Sequence, residues 1–380
     1  MNERVLMIVA EPFVPWQGAS LRARHTASAL AGLGYPVDLL VLPGGDLPEL
    51  PGVRIVRAPR IPLVGTARAN GVSARGIYRW LLLLRAATLA LGTRYRFVHG
   101  VDGAWLAAWA AARLCGAELI YECSEAADDQ RGAYGEGFAL RRAAAVITAD
   151  PAVVAHMRRL GHESRACLIS DIPGTWQEGG DRDAQRAETR ARLELAAEST
   201  VVTYVGSFRK FQGVDLIFNA LPALLREAPG TRLLMVGGVP RDIAQAQTLL
   251  QQAGVAGAVT FLGQVPTAEL VGVLAASDIL VAPRRSGTHA PMKVLDYLLA
   301  GRAVVATDSA ANRSVLTPAC AVLAPPSPEA FARAIAALAR RPDRRTALGE
   351  AGRARVLADF SFDAFQDGLR RCYAYAELKQ

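Results

Sequence analysis

The chain has 380 residues, too many for one ordinary hydrophobic core and enough for two domains of about 150 to 200 residues each. With 51% hydrophobic, 21% charged and 7% aromatic residues, the composition excludes a wholly disordered, collagenous or coiled-coil chain. The five cysteines, Cys115, Cys123, Cys167, Cys320 and Cys372, show no CxxC or other ligand spacing, so neither a disulfide framework nor a zinc site is expected and a reducing compartment fits. Net charge is +8, and its distribution says more than the sum: Arg54 to Arg96 holds nine arginines and no acid. That segment either faces anions, as on anionic lipid or a phosphate-bearing substrate, or is the solvated face of an Arg-rich protein. It lacks the interleaved aromatics and reading motifs of a nucleic-acid binder.

In chain order, β-branched runs alternate with helical patterns, as in parallel sheets covered on both faces. In the first half, strands are expected near Arg4–Ala10, Val37–Leu42, Val53–Arg57, Phe97–Val101, Glu118–Glu122, Val146–Thr148 and Ala166–Ser170. The clearest helices there are Leu21–Leu33, Gly76–Leu91, Ala104–Leu114 and Ala152–Leu160. Residues 171–185, DIPGTWQEGGDRDAQ, concentrate Gly, Pro and charge without apolar periodicity and read as a linker. A helix, Arg186–Leu195, leads into a second alternation with strands near Val201–Val205, Arg232–Val236, Val259–Leu262, Ile279–Ala282, Ala303–Thr307 and Ala321–Leu323. From Pro328 onward the chain is helical with breaks at Pro342 and near Ser361, and Phe362, Phe365, Leu369, Cys372 and Tyr373 form an apolar stripe that needs a surface to cover. The expected fold is therefore α/β, two Rossmann-like doubly wound domains facing across a cleft. The first spans 1–170, with the terminal helix 361–380 packing back on it, and the second spans 186–360. Ligands of such sheets bind at the carboxyl ends of the strands. The opening residues lack a secretory pattern, and the apolar stretch Trp80–Leu91, interrupted by Arg85, falls short of the ~20 residues a spanning helix needs. A cytoplasmic protein is expected, with peripheral contact at the inner membrane surface as an open reading.

No GxGxxG follows the first strand, and no P-loop, HExxH or GxSxG motif is present, which removes the commonest dinucleotide, NTPase, zinc-protease and hydrolase readings. The Asp181–Asp183 pair has the DxD spacing of a metal-bound nucleotide sugar site but lies in the expected linker rather than at a strand end. What remains is anion chemistry at helix starts. After the first strand, EPFVPWQGAS enters a helix at Ser20 or Leu21, where Gly18 permits close backbone approach and free N–H groups attract phosphate; Ser20 as a plain N-cap is the competing reading. After the first strand of the second half comes YVGSFRKFQGVDLIFNAL, in which Gly206 ends the strand and Arg209 and Lys210 precede a helix. A third element, RRSGTHAPMKVLDYLLAGRAVVATD, sets Lys293 at a helix start and Asp296 a turn further on, a spacing suited to a cation beside a diphosphate and a carboxylate on a ribose diol. The competing reading is a Lys293–Asp296 surface pair. Of 43 basic residues only Lys210, Lys293 and Lys379 are lysines, and two of the three fall in these turns.

YVGSF with GVDLIFNAL, VTFLGQV with ELVGVLAASDILVAP, and PMKVLDYLLAGRAVVATD, in that order, resemble the donor half of retaining GT-B glycosyltransferases of family 4. PWQGASLRARHTASALAGLGYPVDLLVL resembles the amino-terminal glycine loop, helix and second strand of that family, and the helix after FSFDAF resembles its returning terminal segment. The resemblance implies a GT-B enzyme that moves a sugar from a nucleoside diphosphate sugar to an acceptor, with retention and without metal or resident cofactor. The acceptor would be a sugar, a lipid-linked group or a small molecule. It also implies that Arg209 and Lys210 neutralise the donor diphosphate with Lys293, that Asp296 holds the ribose, that Gln264 and Val265 receive the base, and that Gly18 and Gly206 approach the phosphates.

The chain departs from the family pattern at three places. Thr288, beside His289, replaces the first glutamate of the E-x7-E element; Gln212-Gly213 replaces Lys-Gly; and Ser124 in YECSE stands where a histidine is common near the reacting sugar. Ser124 and Glu125 are thus the catalytic candidates of the first half, with Glu122 either orienting a substrate or serving as a buried structural carboxylate. The departures keep two alternatives open, a catalytically weak or inactive GT-B protein that binds nucleotide sugar or assists a partner glycosyltransferase, and an epimerase-like use of the fold. The base, the sugar and the oligomeric state are not legible.

Overall fold

The computed structural model describes residues 4–14, 18–45, 49–61, 72–124, 133–176, 180–287 and 291–378, with backbone alone for 72–75 and 133–136. Two compact units result, one of Met1–Asp171 with Phe362–Gln380 and the other of Ile172–Ser361. The first contains β1 (Val5–Pro12), α1 (Gly18–Gly32), β2 (Val37–Leu42), β3 (Val53–Arg57), α2 (Val72–Gly92), β4 (Phe97–Val101), α3 (Trp105–Cys115), β5 (Glu118–Glu122), α4 (Ala133–Arg142), β6 (Ala145–Thr148), α5 (Pro151–Arg159) and β7 (Ala166–Leu168). The second contains α6 (Arg182–Arg192), β8 (Thr200–Val205), α7 (Val214–Glu227), β9 (Thr231–Val236), α8 (Pro240–Gln252), β10 (Val259–Gly263), α9 (Thr267–Ala276) and β11 (Ile279–Ala282). It continues with α10 (Met292–Leu299), β12 (Ala303–Thr307), α11 (Ala310–Arg313), β13 (Ala321–Ala324), α12 (Pro328–Ala339) and α13 (Pro342–Asp359); the last helix, α14 (Phe362–Glu377), returns to the first unit.

Both sheets are parallel, with strand orders β3-β2-β1-β4-β5-β6-β7 and β10-β9-β8-β11-β12-β13. Their strands read as continuous apolar runs because both faces are covered: every residue of β2, β4, β11 and β12 is buried. In each sheet the order reverses beside the first strand, between β1 and β4 and between β8 and β11, which creates a crevice outside the carboxyl ends of those strands. Open sheets of this kind bind ligands at such switch points.

In the first unit Tyr78, Leu82, Ala86 and Ala90 of α2 pack on Leu6, Ile8, Leu40 and Val98 of the sheet. The opposite face of α2 leaves Ile77, Trp80, Leu84 and Leu91 exposed, Trp80 to 64% and Leu91 to 72%. The helix is therefore buried on one face and presents an exposed apolar strip on the other. Among the described residues no helix is long and apolar enough to cross a membrane. The α14 stripe is buried at Phe365, Leu369, Cys372 and Tyr373, and Gln366 Nε2 donates to the Ala29 carbonyl of α1 at 3.0 Å.

The expected linker needs correction. The first unit ends at Asp171, Ile172 onward belongs to the second, and α6 begins at Arg182 rather than Arg186. Asp181 is its N-cap, its carboxylate accepting the N–H groups of Asp183 and Ala184 at 2.9 and 3.3 Å. That contact gives the DxD acid a structural role. The helix escapes an apolar-periodicity search because arginines anchor it: Arg186 donates to the carbonyls of Ala275, Ala276 and Ser277 and pairs with Asp278 at 2.7 Å, while Arg190 reaches the Ala276, Ala196 and Ser199 carbonyls. The start of α1 also differs. The helix begins at Gly18, and Ser20 lies inside it, its Oγ accepting the Val14 N–H at 2.9 Å instead of capping the helix.

Candidate active site

At the switch point of the second sheet, glycines let three turns converge. Gly206 follows β8 with φ 140°, and a Cβ there would stand 2.7 Å from Lys293 Nζ. Gly213, with φ 71°, starts α7 so close to β11 that a Cβ would meet the Pro283 carbonyl oxygen at 2.0 Å. Helix α10 is pinned above the strands by Tyr297, whose hydroxyl accepts the Val205 N–H at 2.9 Å and donates to the Val281 carbonyl at 3.4 Å. This sets Lys293, in the first turn of α10, over the end of β8. Its ammonium donates to Gln212 Oε1 at 2.9 Å and to the Tyr204 hydroxyl at 3.3 Å, and sits 4.4 Å from the Tyr204 ring centroid.

All of these partners are neutral, and among the described residues Lys293 has no carboxylate partner. Burial, reinforced by the nearby Arg284 charge, lowers the Lys293 ammonium from 10.5 to about 7. Arg284 is itself buried beyond the end of β11, its Nε on the Ser286 carbonyl at 2.6 Å and its guanidinium 5.7 Å from the Phe211 ring centroid. Two cations near enough for one charge to act on the other, at a switch point, are an arrangement that an anion would complement.

The remaining donor-side candidates divide. Arg209 and Lys210 are exposed on the turn leading to Gln212, and among the described residues neither side chain has a polar partner. They lie on the same turn as the Lys293 contact without touching it. Gln264 is exposed and Val265 half-buried after β10, Val265 packing on the cluster of Val201, Leu234 and Val236. Thr288 and His289 lie outside the described residues. Asp296 neither pairs with Lys293 nor stands open: it is buried, and its Oδ1 accepts both the Thr175 N–H and the Thr175 hydroxyl at 2.8 Å. A long side chain in a first turn leans back toward the helix start, whereas the short Asp296 stays over its own turn, so the two groups serve different neighbours. Asp296 lines a cavity of about 250 Å³ with Trp176, Arg182, Gln185, Arg353 and Leu357.

In the first unit, Gly18 opens α1 with open space where its Cβ would stand. Behind it a buried network crosses the sheet. Arg22 of α1 pairs with Glu122 and, at 2.6 Å, with Asp171; Glu122 Oε2 lies 3.1 Å from His99 Nε2; His99 Nδ1 lies 2.8 Å from the Tyr373 hydroxyl of α14. Burial alone would raise the Glu122 carboxyl, but the Arg22 charge and the His99 hydrogen bond outweigh it and hold the group at about 2. This geometry supports the structural-carboxylate reading of Glu122. Ser124, beyond the end of β5, bonds to Asp102, and Glu125 lies outside the described residues. Sequence reasoning missed Tyr204, Arg284 and Asp102; an Asp-Gly pair directly after β4, at the switch point, was the available signal for the last.

Residues 17–171 match the glycosyl transferase 4-like domain family, and residues 185–355 match the glycosyl transferases group 1 family. The two matches together span both units. Each unit thus matches a glycosyltransferase family model, the first a family 4-like one, and the chain as a whole has the fold of GT-B glycosyltransferases. A D-inositol 3-phosphate glycosyltransferase of Segniliparus rotundus is 30% identical over 212 residues, 55% of this chain and 47% of that protein. A GDP-mannose-dependent alpha-(1-6)-phosphatidylinositol monomannoside mannosyltransferase of Mycobacterium tuberculosis is 34% identical over 47% of this chain and 48% of its own. The chain thus spans about half the length of these curated relatives. The fold match is wider: sucrose-phosphate synthase from Thermosynechococcus elongatus aligns over 100% of both chains with TM-score 0.75 and 22% identity. Anabaena Alr3699/HepE in complex with UDP and glucose covers 98% of this chain and 99% of its own with TM-score 0.75 and 15% identity.

Proposed function

We propose that this glycosyltransferase moves a sugar from a nucleoside diphosphate sugar to an acceptor hydroxyl, with retention and without a metal. The observation that carries the reading is the Lys293 ammonium, held among neutral partners beside Arg284 at the switch point of the second sheet. In the transfer, the bond between the sugar anomeric carbon and the diphosphate oxygen breaks, a bond from that carbon to the acceptor oxygen forms, and the acceptor proton leaves with the departing phosphate or to solvent. The nucleoside diphosphate gains negative charge at the step. A cation about 4 Å from that charge stabilises it by about 4 kcal/mol at an effective dielectric of about 20, so Lys293 and Arg284 supply the neutralisation that a metal supplies elsewhere. Arg209 and Lys210 add exposed charge on the adjoining turn, and Gly18 and Ser124 mark the ligand end of the first unit.

The relatives direct the choice of probes to GDP-mannose and UDP-glucose as donors and D-inositol 3-phosphate as an acceptor. The purified protein is expected to release nucleoside diphosphate from at least one donor, faster with acceptor. Tight donor binding with no release across acceptors would instead favour a binding protein, and neither binding nor release would reject the reading.

We also propose contact with an anionic membrane surface through α2. The exposed Ile77, Trp80, Leu84 and Leu91 form an apolar strip flanked by exposed Arg79 and Arg85, in a segment without acids. Each arginine near such a surface contributes about 1 kcal/mol before screening. Co-sedimentation should favour phosphatidylglycerol vesicles over phosphatidylcholine at low salt; equal, negligible binding to both would remove the membrane from the account.

A further inference from the structure

At the switch point of the first sheet the chain turns directly out of β4 through Asp102, whose φ of 44° lies in the left-handed region that non-glycine residues rarely adopt. The conformation is held from two sides. The Tyr121 hydroxyl donates to the Asp102 carbonyl at 2.7 Å, and the Asp102 carboxylate spans Ser124, Oδ1 accepting its N–H at 2.8 Å and Oδ2 its hydroxyl at 2.7 Å. Both residues are half-buried, at the ends of adjacent strands. Strain of this kind persists where the surroundings over-determine it, and such places concentrate at ligand sites.

The hydrogen-bond inventory gives the arrangement its meaning. A serine hydroxyl has one hydrogen and two lone pairs, and a carboxylate only accepts, so Asp102 commits the Ser124 hydrogen and leaves its oxygen able only to accept. We propose that Asp102 is a positioning residue that fixes the polarity of Ser124, making it a pure acceptor for one hydroxyl of a bound carbohydrate. The inference rests on the glycosyl-transfer reading and on Ser124 facing substrate. The hydroxyl belongs either to the transferred sugar or to the acceptor. A group that cannot donate at that position meets an oxygen that cannot donate either, and is rejected.

Asp102→Asn reverses this. The amide oxygen keeps the Ser124 N–H, the amide nitrogen donates to the Ser124 oxygen, and the serine hydrogen turns outward. The experiment measures kcat/KM for parent and monodeoxyfluoro substrates, with UDP-glucose and GDP-mannose series on the donor side and deoxyfluoro inositol phosphates on the acceptor side. It compares the wild type, Asp102→Asn and Ser124→Ala. Fluorine accepts weakly and never donates, and its electronic effect on the reacting carbon is shared by all three proteins, so the hydroxyl-to-fluorine ratio isolates the contact. At one position the wild-type ratio should exceed those of both variants by roughly tenfold, the worth of one such hydrogen bond. The series containing that position tells whether the contact is to donor or acceptor.

A merely structural Asp102 would lower kcat/KM for all analogues alike and leave every ratio unchanged, which overturns the proposal. Ser124→Ala, which leaves the Asp102 backbone contact to Tyr121 intact, answers independently should Asp102→Asn fold poorly. A wild type that turns over the parent donors with ratios equal to those of Ser124→Ala refutes the inference and leaves the glycosyl-transfer reading standing. A wild type that neither binds nor uses any donor refutes that reading, and this inference falls with it.

Discussion

Lys293→Met should separate the stability of the second unit from its ligand binding, in opposite directions. The wild-type ammonium is lowered from 10.5 to about 7, chiefly by burial and then by Arg284, so the folded state resists its charge. Between pH 7 and 10.5 the unfolded chain binds more protons than the folded one, and wild-type stability rises with pH across that window; below pH 7 the full penalty is present. A shift of that size corresponds to about 5 kcal/mol for a wholly shielded ammonium, and screening at a head group partly open to solvent reduces it to about 2 kcal/mol. Methionine carries no charge. The Gln212 and Tyr204 hydrogen bonds it forfeits are lost at every pH, so the pH dependence isolates the charge. Thermal unfolding should therefore show the variant gaining on the wild type by about 4–8 °C on going from pH 9.5 to pH 6, for a unit of this size. Calorimetric titration with UDP and GDP should show the variant binding at least about tenfold more weakly at pH 6, the worth of a charge-assisted hydrogen bond. A melting-temperature difference that is the same at both pH values would refute the burial argument, and unchanged affinity would remove Lys293 from the anion site.

Other consequences follow from the same geometry. Arg22→Met strands the buried Glu122 without its cation and should cost the first unit about 3–5 kcal/mol in urea unfolding, against no more than about 1 kcal/mol if the network were dispensable. Because Glu122 is held at about 2, below its usual 4.5, it stabilises the fold above pH 4.5, and that contribution is lost as pH falls toward 2; Glu122→Gln should flatten acid unfolding in that window. Gly213→Ala would force a Cβ against the Pro283 carbonyl at 2.0 Å in a left-handed backbone and should lower the melting temperature of the second unit by several degrees, about 2–4 °C per kcal/mol. The neighbouring Cys372 thiol and the Arg371 charge lower the Cys167 thiol against the opposing effect of burial, whereas burial raises Cys115; iodoacetamide at neutral pH should label Cys167 first, as peptide mapping would show.

The strands were legible because strands buried on both faces print themselves as unbroken apolar runs, and Ile279–Ala282 and Ala303–Thr307 stand where the sequence put them. Helix α6 was not legible at its start, because Arg186 and Arg190 tie it to backbone carbonyls where an apolar stripe would ordinarily do so. Lys293 stood out in a chain that otherwise uses arginine, whereas Arg284, one arginine among forty, carried no mark; only the fold brings it near the ammonium. Asp296 is given the ribose by its spacing and by the family resemblance, whereas its contact with Thr175, 121 residues away, is one that no local pattern encodes. Asp102 was overlooked for a related reason, since its role depends on a backbone angle and on a serine from the neighbouring strand.

The central claim is that a nucleoside diphosphate sits at the carboxyl ends of β8 and β11, and a crystal structure of the protein soaked with UDP or GDP tests it most directly. The account predicts diphosphate oxygens within hydrogen-bonding distance of Lys293 Nζ, displacing its contact with Gln212, and beside Arg284. A diphosphate bound instead in the cavity lined by Trp176, Arg182 and Arg353, with the Lys293–Gln212 contact intact, would contradict it.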